Sequence, residues 1–175
     1  TPAGGIHGHR HIPVGCVGSY VPGGRYPRFG SAQMSIIPAK VAGVETVVAC
    51  TPPVRGEGWY PATVNAMKKA GADRIFVLGG VQAFGLMAFG MGMVPPADIL
   101  CGAGNKFIAE AKRQLFGKCG IDLLAGPTEI GIIAEDDADP AIVACDLLGQ
   151  AEHDPTSGQI LVCLSDDFAR KVLAE

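Results

Sequence analysis

The sequence predicts an α/β protein with an open, mostly parallel sheet covered by helices on both faces. Apolar, β-branched runs alternate along the chain with helix-like runs. The strand-like runs are continuously apolar, which is typical of parallel strands that are buried on both sides. Hydrophobic residues make up 48% and charged residues 18% of the 175 residues, which indicates a core-rich globular chain.

Each expected element follows from this alternation. Apolar runs bounded by turn residues predict strands at 45–50, 74–78, 97–102, 129–135 and 159–165. Helices are expected between them, at 60–72, 81–90, 105–117, 140–151 and from residue 166 onward. Pro61 suits a first helical turn, Gly117 suits the position after a helix end, and the acidic Asp166 suits a helix N-terminus.

Composition and charge argue against several classes of protein. The net charge of −3, from 14 basic and 17 acidic side chains, gives no electrostatic reason to expect a nucleic-acid partner. The sequence contains neither a run of 18 apolar residues nor a signal-peptide pattern, so no membrane span is expected. Six cysteines without a C-x-x-C pair favour free thiols and a reducing cytoplasm over a disulfide scaffold.

Both ends of the sequence suggest a segment of a longer protein. The chain opens with "TPAGGIHGHRH" and no methionine, and it closes with "DDFARKVLAE", in the middle of an expected helix. We therefore expect an incomplete, truncated chain.

Glycine-bearing loops follow most of the expected strands. Ligands of open α/β sheets bind at the carboxyl ends of the strands, and glycine lets backbone N–H groups approach a phosphate closely. These loops indicate a nucleotide site without identifying the nucleotide. They lie at 18–27, 51–61, 79–82, 102–105, 125–129 and 149–155.

The loop "CGAGNKF" partly matches a dinucleotide fingerprint. Gly102-x-Gly104 follows an expected strand and opens a helix, and the acidic Asp122 lies 20 residues further on. The third glycine position is Phe107, however. Taken alone, this spacing favours a tight strand-to-helix turn over a cofactor site.

Histidines and one cysteine offer weaker candidate sites. His7, His9 and His11 alternate, so on a strand they would share one face and could bind a metal. An ordinary polar edge strand is the favoured interpretation. Cys50 ends a strand and could be a nucleophile, but without a neighbouring histidine a buried structural thiol is favoured.

Gln150 and His153 are three residues apart at the end of an expected helix. Side chains at this spacing share a helix face, with Cβ atoms about 5–6 Å apart. Both could reach one ion, but zinc requires about four ligands, or three and a water. The spacing alone therefore favours an ordinary surface helix end.

Six ordered sequence blocks resemble the histidinol dehydrogenase family. They are similar to that family in order and spacing, and the resemblance extends over nearly the whole chain. The blocks are "YVPGG" at 20–24, "PAKVAGV" at 38–44, "GGVQA" at 79–83, "GAGN" at 102–105, "GIDLLAGPTE" at 120–129 and "DLLGQAEH" at 146–153.

The resemblance implies a cytoplasmic, homodimeric, NAD-dependent and zinc-containing enzyme that oxidises a primary alcohol through the aldehyde to a carboxylate, as in histidine biosynthesis. It implies an incomplete Rossmann-like sheet, with residues 20–128 forming the NAD-binding domain. Residues 1–19 and 129–175 would then belong to a second α/β domain that carries half of the zinc site.

The resemblance also assigns residues to the cofactor. Tyr20, Gln82 and Asn105 stand at positions that contact NAD in the family.

A second set of positions is assigned by resemblance to substrate and zinc. Thr128, Gln150 and His153 would contact the small-molecule substrate, and Gln150 and His153 would also bind zinc. The family's catalytic glutamate–histidine pair and its remaining zinc ligands lie beyond this chain. No catalytic residue is therefore expected here, and the isolated segment is expected to be inactive.

Two alternatives stay open from the sequence. "YVPGG" is followed by "RYPRFGSAQMS", which is more similar to the branch of the family that oxidises dihydroxypropanesulfonate, a sulfopropanediol. A non-catalytic nucleotide-binding module is the alternative of another class, because the visible chain lacks a base.

Overall fold

The computed structural model describes residues 4–23, 26–54, 58–124, 128–152 and 156–175. The chain divides into two compact units, Thr1–Leu124 and Ala125–Glu175. Each unit has its own sheet and its own helices. No described helix has the length and apolar character needed to cross a membrane.

The described residues of the first unit form five strands and four helices. The strands are β1 (Cys16–Tyr20), β2 (Thr46–Thr51), β3 (Arg74–Val77), β4 (Ile99–Cys101) and β5 (Gly120–Ile121). The helices are α1 (Phe29–Val41), α2 (Pro61–Ala70), α3 (Gly80–Phe89) and α4 (Lys106–Leu115).

The five strands of the first unit form a parallel sheet in the order β3-β2-β1-β4-β5. Strand β1 therefore pairs on one side with β2, where Val17 faces Val47, and on the other with β4, where Val17 faces Ile99. The direction in which successive strands are added reverses between β1 and β4. In sheets of this order, ligands bind beyond the carboxyl ends of the strands at that reversal.

Helices cover both faces of the sheet. On one face, Ala32 and Ile36 of α1 and Met67 of α2 pack with Val17 of β1 and Val47 of β2. On the other face, Phe84 and Met87 of α3 pack with Tyr20 of β1 and Val48 of β2. The predicted α/β class, with a mostly parallel sheet and helices on both faces, is confirmed.

The second unit is smaller. Strands β6 (Ile130–Ala134) and β7 (Gln159–Cys163) form a two-stranded parallel sheet, with helices α5 (Pro140–Ala151) and α6 (Asp166–Ala174). Asp139 caps α5 by accepting the Ala141 N–H at 2.9 Å. Ala134, Val143 and Phe168 lie in the core of this unit.

The predicted elements agree with the observed ones to within a few residues, and three further elements were not predicted. Strand β1 is short and contains Gly18, β5 has only two residues, and α1 carries Pro38 in its interior. The glycine in β1 and the short length of β5 remove the apolar run that predicts a strand. The proline inside α1 argues against a helix. Burial against the sheet, and not local propensity, stabilises α1, whose Ala32 and Ile36 are both fully buried.

The expected domain boundaries differ from the observed division at the N-terminal side. They place residues 1–19 with the second domain, whereas β1 is the central strand of the first unit. The reason is that β1 pairs in register with both β2 and β4. The cofactor role expected for residues 20–128 stays a prediction.

The stability of the first unit depends on Phe84, which is fully buried between α3 and the sheet. We expect Phe84→Ala to lower the free energy of unfolding by about 3–5 kcal/mol, because it leaves a cavity in this core. Phe89→Ala on the same helix is the matched control, since Phe89 is 63% exposed and its loss should matter by less than about 1 kcal/mol. Denaturant titration of both variants measures the difference, and equal losses would contradict the packing described.

Candidate functional site

The carboxyl edge of the five-stranded sheet brings the loops after β1, β2, β3 and β4 together. The loops after β2 and β3 lie close enough that a Cβ at Gly79 would come within 2.6 Å of the Pro52 Cβ. The loop after β3 also reaches Tyr20, at the end of β1. Tyr20 in turn contacts the loop after β4 at Gly102.

Tyr20 ends β1 at the centre of this edge. Its side chain is only 6% exposed, and its ring lies 5.2 Å from the Phe84 ring. The Gly80 N–H donates to the Tyr20 hydroxyl at 3.2 Å, at the start of α3. Burial raises the pKa of Tyr20, although this hydrogen bond opposes the rise. The phenol is therefore neutral at physiological pH and holds the start of α3 against β1.

Gln82 lies on the first turn of α3 and is exposed. Its amide oxygen would be 2.8 Å from a Cβ at Gly80, so the side chain folds back over the helix start. Gly80 has a φ of +69°, a conformation that favours glycine. The N-cap of α3 is Gly79, which provides no side-chain cap. The structure therefore brings Gln82 and Tyr20 around the same glycine.

Asn105 is the N-cap of α4. Its Oδ1 accepts the Phe107 N–H at 3.0 Å and the Ile108 N–H at 3.2 Å. Two N–H groups at this helix start are thus already satisfied by the protein. Asn105 therefore occupies the Phe107 and Ile108 N–H groups, and contact of this helix start with a phosphate stays a prediction. Its side-chain NH₂ is the group that remains suited to a ligand.

The "GAGN" loop is a tight turn that also supports the site. Gly102 has a φ of +133°, and a Cβ there would overlap the Tyr20 carbonyl oxygen and come within 2.9 Å of the Tyr20 Cβ. A Cβ at Gly104 would lie 2.6 Å from the Ile108 side chain. Both glycines are therefore required by close packing, which is the tight-turn interpretation favoured from the sequence.

A buried ion pair lies directly behind this turn. Lys112 of α4 is 1% exposed, donates to the Gly102 carbonyl at 2.8 Å and pairs with the Asp122 carboxylate. Asp122 accepts the Gly102 N–H at 2.8 Å. The sequence singled out Asp122 as the acidic residue of a partial fingerprint, but the structure uses it to bind Lys112 and Gly102. Lys112 was missed, since a lysine on a helix usually lies at the surface.

A groove of about 500 Å³ lies on the α1 side of the same edge. Its walls are largely apolar and come from α1, β1 and β4. Tyr20, Gly102, Ala103 and Asp122 line it. Its size is in the range that small-molecule sites occupy.

The second unit holds the residues expected to contact substrate and zinc. Thr128 is exposed and precedes β6, and Gln150 is half-buried near the end of α5. The Gln150 amide nitrogen donates to the Thr128 carbonyl at 2.9 Å. This bond fixes the amide and leaves its Oε1 as the atom suited to a cation. His153 lies outside the described residues.

A metal ion in this unit would need several donor side chains close together. Among the described residues, no group of three or more His, Cys, Asp and Glu side chains could hold a metal ion. Of the expected zinc ligands Gln150 and His153, only Gln150 lies among the described residues, and it offers its Oε1 as a donor. The described residues therefore do not complete a zinc site.

The predicted edge strand around the N-terminal histidines is wrong. His7, His9 and His11 are exposed and lie in a segment without strand pairing, although the rings of His9 and His11 are 5.0 Å apart. The segment has no partner strand within the described residues, so the strand geometry expected from the alternating spacing is not formed.

Cys50 is a structural thiol. It lies in β2, is fully buried, and burial raises its pKa to about 12. The thiol therefore stays protonated at neutral pH and cannot act as a nucleophile. All six cysteines are free, as the sequence predicted.

Comparisons with known proteins agree on one family. A model of the histidinol dehydrogenase family matches residues 1–175. A histidinol dehydrogenase homolog from Shouchella clausii (strain KSM-K16) is 57% identical over 176 residues, which are 100% of this chain and 41% of that protein. Sulfopropanediol 3-dehydrogenase from Ruegeria pomeroyi (strain ATCC 700808 / DSM 15171 / DSS-3) is 51% identical over 170 residues, which are 97% of this chain and 39% of that protein.

A solved structure shows the same fold. Histidinol dehydrogenase from Elizabethkingia anophelis matches with a TM-score of 0.83 and 37% sequence identity, over 93% of this chain and 38% of that one. The chain thus spans about two fifths of the length of these relatives.

Thiol reactivity separates Cys50 from an exposed cysteine of the same chain. We expect iodoacetamide at pH 7–8 to label Cys145, which is exposed, and to leave Cys50 unlabelled until the protein unfolds. Peptide mass spectrometry of labelled native and denatured samples measures this. Labelling of native Cys50 as fast as Cys145 would contradict the structural assignment.

Proposed function

The chain belongs to the histidinol dehydrogenase family, and we propose that the complete polypeptide containing it is an NAD-dependent dehydrogenase. Its reaction would oxidise a primary alcohol through the aldehyde to the carboxylate, with L-histidinol as the first candidate substrate. Family membership supports a dehydrogenase. The cofactor, the metal and the substrate are parts of the proposal.

One observation carries the cofactor assignment. The sheet order β3-β2-β1-β4-β5 reverses direction between β1 and β4, and Tyr20, Gln82 and Asn105 all lie at that edge. They come from the end of β1 and from the starts of α3 and α4. A dinucleotide binds in this position in open α/β sheets.

The roles of the three residues follow from their contacts. Gln82 and Asn105 are exposed. The Gln82 amide would donate to or accept from the cofactor, and the Asn105 NH₂ group would donate to it. Tyr20 is buried and would act mainly through its backbone and its hold on Gly80. NAD, when bound, supplies the hydride acceptor for an alcohol oxidation.

The second unit would contribute to substrate and metal binding. We assign Gln150 and His153 as zinc ligands because the resemblance to the family places zinc ligands at these two positions. The hydrogen bond from the Gln150 amide nitrogen to the Thr128 carbonyl leaves the amide oxygen available for a cation. Thr128 would contact substrate, next to that amide. Zinc, when bound, supplies a Lewis acid that orients an alcohol. The acid–base residues and the other zinc ligands would come from outside this chain.

A sulfopropanediol is the second candidate substrate. The sequence after "YVPGG" resembles that branch, and sulfopropanediol 3-dehydrogenase is 51% identical to this chain. Histidinol dehydrogenase from Methanosarcina barkeri (strain Fusaro / DSM 804) is 48% identical, so identity alone does not separate the two. A homodimer in the cytoplasm is part of the same proposal.

The direct test is a comparison of two substrates with the complete polypeptide. NADH formation with L-histidinol and with dihydroxypropanesulfonate is followed at 340 nm, in the presence of zinc. Turnover of L-histidinol supports the first candidate, and turnover of the sulfonate alone supports the second. Absence of NADH with both would contradict the two substrate assignments.

The cofactor assignment makes a prediction for Gln82. Gln82→Ala should weaken NAD about 2- to 10-fold, as expected for loss of one hydrogen bond, with little change in stability because Gln82 is exposed. Gln114→Ala is the matched control, since Gln114 is exposed on α4 and its amide donates to Glu110 on the same helix. Isothermal titration with NAD measures both, and equal affinities would remove Gln82 from the site.

The metal assignment makes a prediction for His153. His153→Ala should abolish zinc retention in the complete polypeptide, and Gln150→Ala should weaken it less, because an amide oxygen is the weaker ligand. His7→Ala, in the exposed N-terminal segment, is the matched control. Elemental analysis of dialysed protein gives the occupancy, and full zinc after His153→Ala would refute the assignment.

A further inference from the structure

Lys112 is the most deeply buried charged side chain among the described residues of the first unit. It is 1% exposed and lies in the middle of α4, facing the sheet. A buried ammonium is strongly unfavourable unless it is paired and hydrogen-bonded. Its Nζ has two partners, the Asp122 carboxylate and the Gly102 carbonyl at 2.8 Å.

Asp122 completes a closed network around one glycine. Its Oδ2 accepts the Gly102 N–H at 2.8 Å, while its Oδ1 pairs with Lys112 and accepts the Leu123 N–H. Gly102 follows the last residue of β4, where no neighbouring strand takes up its polar groups. Both its N–H and its C=O are therefore bound by charged side chains.

Gly102 connects two residues that are assigned to the cofactor, Tyr20 and Asn105. Its backbone packs against Tyr20 so closely that only glycine fits, and three residues later Asn105 caps α4. The turn 102–105 thus links the end of β1 to the start of α4. A shift of Gly102 would move both Tyr20 and Asn105, which the proposed function assigns to the cofactor.

From this network we infer that Lys112 and Asp122 form a positioning pair for the cofactor-binding edge. The pair anchors the turn 102–105 so that Asn105 and Tyr20 stay in place when the site is empty. Neither side chain contacts the cofactor through this role. The inference rests on the proposed function, because it assumes that this edge binds NAD.

The pair also explains why charge is used at this position. Water could reach the Gly102 backbone groups, because the neighbouring Asp122 side chain is 29% exposed, so a charged pair is not needed merely to satisfy them. A buried ammonium that meets both a carboxylate and a carbonyl instead fixes three elements at one point: α4, the end of β4 and the end of β5. Hydrogen bonds to charged groups are stronger than those between neutral groups.

The test variant is Lys112→Met in the complete polypeptide, which keeps the length of the side chain and removes its charge. We expect NAD affinity to fall about tenfold or more, with less than a twofold change in KM for the alcohol. Lys68→Met, at an exposed position of α2, is the matched control and should behave as wild type. Met67→Ala, fully buried against the opposite face, controls for loss of stability and should retain NAD affinity.

Failure of the proposed function and failure of the positioning role of Lys112 and Asp122 would give different results. If wild-type protein does not bind NAD, the proposed function fails. If wild type binds NAD and Lys112→Met binds it equally well, with only a lower Tm, the pair is merely structural and the inference is overturned. Equal losses of affinity in Lys112→Met and Met67→Ala would overturn it as well.

A second measurement covers the case in which Lys112→Met does not fold. Hydrogen exchange of wild-type protein without NAD should show a protected Gly102 amide, since Asp122 already holds it. Exchange of Gly102 at the rate of an unprotected amide would overturn the inference.

Discussion

The contact between Tyr20 and Gly102 is the constraint on which the carboxyl edge of the first unit depends. Strands β1 and β4 are neighbours in the sheet, but the chain leaves them in different directions, toward α1 and toward α4. The two exits can lie side by side only if one residue has no side chain, and a Cβ at Gly102 would overlap the Tyr20 carbonyl oxygen. The tight turn 102–105 and the cap of α4 by Asn105 follow from this close approach.

A buried charge holds that contact in place. Gly102 has left the sheet, so its N–H and C=O need other partners, and Asp122 and Lys112 supply them. On the opposite side of Tyr20, the phenol hydroxyl accepts the Gly80 N–H and ties the start of α3 to the same strand. The starts of α3 and α4 are thus both fixed to the end of β1, so the loops at this edge have defined positions.

The sequence predicted much of the fold because the apolar runs of β2, β3, β6 and β7 are continuous and the helices between them are well bounded. It did not predict α1, whose interior Pro38 argues against a helix, or β1, where Gly18 interrupts the run. These two elements form through packing across the sheet, for which a single sequence carries no local signal. The failed edge strand at His7–His11 has the same origin, since a strand requires a partner.

The candidate site divides in the same way. Glycine positions and strand ends predicted a ligand at the carboxyl edge of the sheet, which stays a prediction, and ordered sequence blocks identified the family. The Lys112–Asp122 pair left no such trace, because its two members lie ten residues apart and meet only when β5 and α4 pack beside β4. Pairs of this kind set the geometry of a site without touching its ligand. They are visible only when burial is known, since a lysine on a helix is otherwise assigned to the surface. Burial of a charged side chain behind a glycine turn is therefore the more informative signal of a fixed binding edge than the glycines themselves.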